Sequence, residues 1–331
     1  MSRGDRENRA AGDTGAQAEL HAEQLDRSKP VLSSLQQELT AISEEEFLRT
    51  YDAGDYERPS VTVDMLVFTI RSEEQENYRK LAEPELGLLL IRRGGHPYLG
   101  QWALPGGFVS MQESLEDAAR RELQTETGLD DIYLEQLYTW GDVGRDPRTR
   151  VISCSYMALV DSSELELEAG DDASEASWFR VEQRLIEEKR HIHELGRVTE
   201  CRLQLMLSNG TEQLSAIVET KEQVQGRVRS SSLSLLQAQG IAFDHAKIIH
   251  YALERLRAKI EYTDIAFNLM PEKFTLTALQ KVYEIISGKK LLAAAFRRKM
   301  ADWVIETGEY ASSAGHRPSR LYRLNPEREV I

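Results

Sequence analysis

The chain has 331 residues, 41% hydrophobic and 29% charged, with a net charge of −14. That apolar share supports ordinary globular cores, the length allows two domains plus linkers, and the longest apolar runs, at 88–91 and 291–296, fall far short of the ~20 residues of a bilayer span. Cys154 and Cys201 lie too far apart to form a disulfide framework or zinc site, and no apolar stretch follows the N-terminal charges, so the expected compartment is the cytoplasm, with no membrane contact.

Charge is unevenly spread. Residues 265–331 carry eleven basic and seven acidic side chains, so the tail is net +4 and the remainder −18. An acidic body with a basic C-terminal module calls for a function that uses both.

Residues 1–45 are polar and read as disordered or loosely helical. Ser43 followed by three glutamates and Phe47, Leu48 and Tyr51 predicts a short helix with an N-cap and an acidic first turn. Residues 61–70 (VTVDMLVFTI) are β-branched and apolar, hence a buried strand; 88–91 form a second. Residues 114–127 have helical spacing through Leu115, Ala118, Ala119 and Leu123, with Gly128 at the end. Residues 132–140 and 151–160 are further strands. Mixed strands and helices make 59–183 an α/β (α+β) domain.

Residues 184–240 read as an insertion or lid. Within it 185–195 looks helical, and Asn209-Gly210 between two alternating segments predicts a β-hairpin. Residues 244–259 form a helix within a 241–270 connector. From 271 to 331 the order is helix, turn, helix, β-hairpin. Thr275 caps the first helix. Leu292, Phe296, Met300 and Trp303 are expected on the inner face of the second. This is the pattern of a winged helix.

The stretch that carries chemistry runs from Gly107 to Leu129. Glu122 and Glu126 are four apart and share a helix face, and Glu113 stands at the helix entrance. Such a cluster of hard oxygen ligands suits Mg²⁺ (or Mn²⁺). Arg121 can orient it, and Gly106 and Gly107 let the backbone turn closely before the helix.

This spacing, G-x5-E-x7-R-E-U-x-E-E-x-G-U, resembles the Nudix box, and Trp102-Ala-Leu-Pro-Gly-Gly resembles the loop leading into it. The resemblance implies an α/β/α sandwich with a mixed sheet, and metal-assisted cleavage of nucleoside diphosphate derivatives. Thr125 stands where the family has the first glutamate of its E-E pair, which implies weaker metal binding and leaves enzymatic activity open. Glu122 and Glu126 are the expected catalytic metal ligands, assisted by Glu113. A base is expected from the later loop holding Asp171, Asp172 and Glu175, with Asp172 preferred.

Residues 271–324 resemble the winged helix of the Nudix-related transcriptional regulators of NAD metabolism. That resemblance implies a homodimer that senses an ADP-ribose-like nucleotide and binds double-stranded DNA. Lys290, Arg297 and Arg298 on the second helix, with Arg317 and Arg320 at the wing, are the expected DNA contacts. The alternative is a Mg²⁺-dependent hydrolase whose winged helix serves dimerisation or partner binding.

Overall fold

A computed structural model describes residues 43–72, 84–129, 132–161, 173–311 and 318–328. The chain divides into two compact units, Met1–Arg58 and Pro59–Ile331. In the first, helix α1 (Glu44–Thr50) starts at Ser43, whose side chain accepts from the Glu46 amide.

The second unit is built on a ten-stranded sheet. Its long strands are β1 (Ser60–Ser72), β2 (Pro84–Arg93), β5 (Tyr133–Trp140), β6 (Val151–Val160), β7 (Ala173–His193), β8 (Gly196–Ser208), β9 (Gln213–Gln225) and β10 (Val228–Gln239). They lie in the order β10-β9-β8-β7-β2-β1-β6-β5. The short β3 (Trp102–Ala103) and β4 (Gly106–Phe108) add to β2 and β1. β1 and β6 run parallel and the other pairings are antiparallel, so the sheet is mixed.

Strand periodicity sends alternate side chains of β1 to opposite faces. Val63, Met65 and Val67 pack with Ala118, Ala119 and Leu123 of helix α2 (Leu115–Thr127). Leu66 and Phe68 join the other core, with Ile248, Ile249, Ala252 and Leu256 of helix α3 (His245–Lys259). The result is the helix–sheet–helix sandwich expected from the box. α2 begins with a reciprocal capping box between Ser114 and Asp117 and ends at Gly128 in the left-handed region.

Residues 185–193 are strand, not helix. A polar run with no apolar stripe has no face to bury as a helix. Here its backbone pairs with β8, and Glu187 accepts from Arg202 on β8 at 2.9 Å, an arginine that also binds Glu219 on β9 at 2.8 Å. β7 therefore runs without a break from the Nudix-like sheet into 184–240, and that region contributes strands rather than a separate lid. The Asn209-Gly210 turn does join β8 to β9, with Ser208 opposite Gln213. Asn209 Oδ1 accepts from the Thr211 and Glu212 amides, which aims Glu212 at the Trp102 indole N–H and the Arg92 guanidinium.

Helices α4 (Leu276–Ser287) and α5 (Ala293–Met300) and the hairpin β11 (Val304–Ala311)–β12 (Ser319–Leu324) form the winged helix. Thr275 caps α4 by accepting from the Ala278 amide. Phe296, Met300 and Trp303 are buried as expected. Leu292 is not: it is the N-cap residue of α5 and 80% exposed, because the helix starts only after it. No helix among the described residues is long and apolar enough to cross a membrane.

Leu123 is 2% exposed between α2 and the sheet. Leu123→Ala should lower unfolding free energy by about 2–5 kcal/mol, the usual range for a buried leucine, read as a lower urea midpoint with an unchanged slope.

Candidate functional site

Two glycines bring the backbone onto the box helix. Gly106 has φ 157°, and a Cβ there would meet the Val63 carbonyl oxygen at 2.2 Å. A Cβ on Gly107 would meet Glu122 Oε1 at 2.3 Å. Gly106 thus lets the chain press against β1, and Gly107 leaves the cradle that holds the Glu122 carboxylate.

Arg121 binds two of the box acids. It donates to Glu113 from Nε (3.0 Å) and Nη2 (2.8 Å), and to Glu122 from Nη1. The Ser110 amide also donates to Glu113. The Arg121 hydrogen bonds, then that amide, pull the Glu113 pKa down to about 2. Glu122 and Glu126 are buried one turn apart. Thr125 is exposed, and its hydroxyl donates to the Arg121 carbonyl at 2.8 Å, so it offers no third ligand. Among the described residues no group of three or more His, Cys, Asp or Glu is arranged around a metal position. Two hard carboxylates beside a glycine cradle nevertheless fit Mg²⁺, which usually takes one or two protein carboxylates and fills its shell with water and phosphate oxygens.

Beside the cradle lies a cavity of about 310 Å³, whose lining includes Asp64, Arg93, Gly107, Arg145, Arg148 and His245. Its lining sets three guanidiniums, Arg93, Arg145 and Arg148, against two carboxylates, Asp64 and Asp146, with Arg148 paired to Asp146 at 2.8 Å. Beneath it is a buried polar network. Asp64, on the apolar strand β1, is 8% exposed. It accepts from Ser153 Oγ at 2.5 Å and Arg145 Nη2 at 3.3 Å. Arg145 also grips Asp244 through Nε (3.1 Å) and Nη2 (2.8 Å). His245 Nδ1 accepts from the Leu104 amide at 2.9 Å, so its ring is neutral and protonated at Nε2. Tyr98 and Phe243 hold left-handed φ of 62° and 52° and pack ring to ring at 4.6 Å. Arg93 lies over the Phe243 ring at 4.9 Å.

The basic face is on the winged helix. Arg297 and Arg298 project from α5 opposite buried Phe296 and Met300, exposed and with no ion-pair partner among the described residues. Lys290 is exposed and 3.4 Å from Glu284. Arg320 makes a double hydrogen bond to Glu306 at 2.7 and 2.9 Å, so its charge is already balanced. Asp171, Asp172 and Arg317 lie outside the described residues. Glu175 is on β7 and pairs with Arg92 at 3.0 Å.

The sequence matches the NUDIX domain over residues 54–199 and the NrtR DNA-binding winged helix domain over residues 266–324. The ADPR-responsive transcriptional repressor NtrR of Acinetobacter baylyi is 32% identical over 287 residues, covering 85% of this chain and 88% of that protein. This chain belongs to the NrtR family. The crystal structure of Shewanella oneidensis NrtR complexed with a 27mer DNA superposes with a TM-score of 0.53 at 29% identity, over 80% of this chain and 94% of that one. A MutT/nudix family protein from Enterococcus faecalis gives 0.61 at 29% identity, over 86% and 95%.

Sequence reasoning found the box of this NrtR-family chain but missed the cavity's charged floor: Asp64, Arg145, Asp244 and His245. One signal was there. A lone aspartate inside VTVDMLVFTI is a carboxylate placed where only a buried partner could tolerate it. The partners, Arg145 and Ser153, sit 81 and 89 residues away and carry no spacing signature.

Burial is the main cause that lowers the His245 and His250 pKa values below 6.5. Below pH 6.5 the unfolded chain therefore takes up protons that the folded chain refuses, and stability falls as pH falls. Carboxylates lowered by partners, such as Glu113 and Asp146, begin to lose their contribution only below about pH 4.5. Urea midpoints should thus drop between pH 7 and 5, and His245→Asn, which keeps an acceptor for the Leu104 amide, should flatten that slope. An unchanged slope would mean His245 is not the titrating group.

Proposed function

We propose that this chain is an ADP-ribose-responsive DNA-binding regulator acting in NAD metabolism, with the cavity as the effector site and α5 as the recognition helix. One observation carries the reading. Helix α3 begins at the cavity: Phe243 and His245, its first residue, line it, and the N-cap Asp244 between them reaches it only through Arg145. Near its other end Arg257 Nε donates to the Ile286 carbonyl at the end of α4, 3.2 Å away. The same arginine donates to Gln183 on β7. A single helix therefore joins an arginine-lined cavity to a winged helix whose Arg297 and Arg298 have no ion-pair partner among the described residues. The relative from Acinetobacter baylyi is described as ADP-ribose-responsive, and the Shewanella structure contains DNA; both support this assignment.

In this reading Arg297, Arg298 and Lys290 contact DNA, with Arg320 and Arg317 at the wing. Two copies place two recognition helices on adjacent half-sites. Glu122 and Glu126 would hold Mg²⁺, which neutralises diphosphate charge when bound, while Arg121 and Glu113 orient them and Gly106 and Gly107 admit the ligand. Asp172 remains the proposed base for any hydrolysis.

The second reading is a working hydrolase, favoured by the glutamate pair and its cradle. Thr125 argues for slow turnover: its hydroxyl is spent on the helix backbone. Thr125→Glu should raise ADP-ribose cleavage and Glu126→Gln should abolish it.

The deciding experiment uses a duplex selected from a random library on the immobilised chain. ADP-ribose should weaken its binding by about 5- to 150-fold, the ordinary range of allosteric coupling. Arg297→Ala with Arg298→Ala should leave the fold intact, weaken binding and lower the salt slope by about 2, roughly 1 per lost phosphate contact. Equal DNA affinity with and without ADP-ribose would leave two uncoupled activities and favour the hydrolase.

A further inference from the structure

We propose that Asp244 is a built-in competitor of the effector: the ligand's diphosphate takes Arg145 from Asp244 and so loosens the N-terminal end of α3. The inference rests on the functional reading above and names the group through which the effector acts.

Asp244 occupies the N-cap position of α3, where an aspartate ordinarily accepts from an amide of the first turn. It makes no such bond. Both its oxygens go instead to Arg145, at 3.1 and 2.8 Å. The Arg145 side chain is only 6% exposed, yet it lines the cavity between Arg93, Arg148 and His245.

The two carboxylates that hold Arg145 are not equivalent. Asp64 is fixed in the middle of β1, with the Ser153 hydroxyl on the same oxygen. Asp244 follows Phe243, whose left-handed φ of 52° is costly for a side chain with a Cβ. An anion that displaces one partner therefore displaces the one on the helix and leaves the one on the sheet. A diphosphate is also repelled by Asp244, which favours exchange over addition. A guanidinium can present the same fork to a phosphate as to a carboxylate.

The loop that carries Arg145 grips α3 a second time, through Asp142 and Lys247 at 2.5 Å. Lys247 pairs with Asp142 and not with Arg145, which is the residue that lines the cavity. It therefore separates competition for Arg145 from a general loosening of the helix.

Asp244→Asn removes the competing charge at almost constant shape and keeps a side chain able to cap the helix. In the full-length chain it should bind ADP-ribose about tenfold more tightly by titration calorimetry, the worth of one charge-assisted hydrogen bond. The response of DNA affinity to ADP-ribose should shrink in the same variant. Lys247→Met should give no such gain. Unchanged or weaker ADP-ribose binding by a folded Asp244→Asn chain overturns the proposal, as does an equal gain in Lys247→Met. Inorganic pyrophosphate is the second probe. If the unsubstituted chain ignores ADP-ribose, the functional reading fails. The exchange at Arg145 is then supported by tighter pyrophosphate binding in Asp244→Asn and overturned by its absence.

Discussion

A carboxylate buried inside an apolar strand sets the terms for the polar network at the cavity. Asp64 belongs to the same inward face of β1 as Leu66 and Phe68, which lie in the main core. An ionised group there is tolerated only with a charge and hydrogen bonds to meet it. Ser153 on the parallel neighbour β6 supplies one bond, and Arg145 from the loop before β6 supplies the charge. Arg145 still has N–H donors to spare, and both Asp244 oxygens accept from them. The start of α3 is thereby tied to the centre of the sheet.

The same chain of contacts explains why the region after β7 is not an appendage. The backbone of 240–242 pairs with Trp102, through the Trp102 amide to the Gly240 carbonyl and the Ala242 amide to the Trp102 carbonyl. Glu212, delivered by the β8–β9 turn, accepts from the Trp102 indole and binds Arg92, which stacks over the indole at 4.7 Å. The loop leading into the Nudix box is thus held from the side by residues more than a hundred positions later. A separate lid could be removed without disturbing the box. These strands cannot.

Coupling between two sites needs an element that both contact. α3 meets that condition at residue level: Asp244 and His245 at the cavity, Gln183 and the α4 terminus at Arg257. Lys259 adds an ion pair to Glu135 on β5. An element held by polar contacts at both ends has discrete ways of letting go, and that property makes a lever of a helix.

Local patterns in the sequence determined much of this structure. A β-branched apolar run placed β1, and helical spacing with a Gly128 stop placed α2. Asn-Gly placed the β8–β9 turn, and the box spacing identified the family and the glutamate pair. Each of these signals lies within about twenty residues, the range over which helix and strand periodicity act. Tertiary structure alone decided three matters. It made 185–193 a strand, because its backbone pairs along β8, where Arg202 also meets Glu187. It left Leu292 in solvent, because α5 begins one residue later. It also gathered Asp64, Arg145, Asp244 and His245 under one cavity. Charge compensation has no sequence period: a buried carboxylate requires a cation, but only the folded chain determines which of its many arginines arrives.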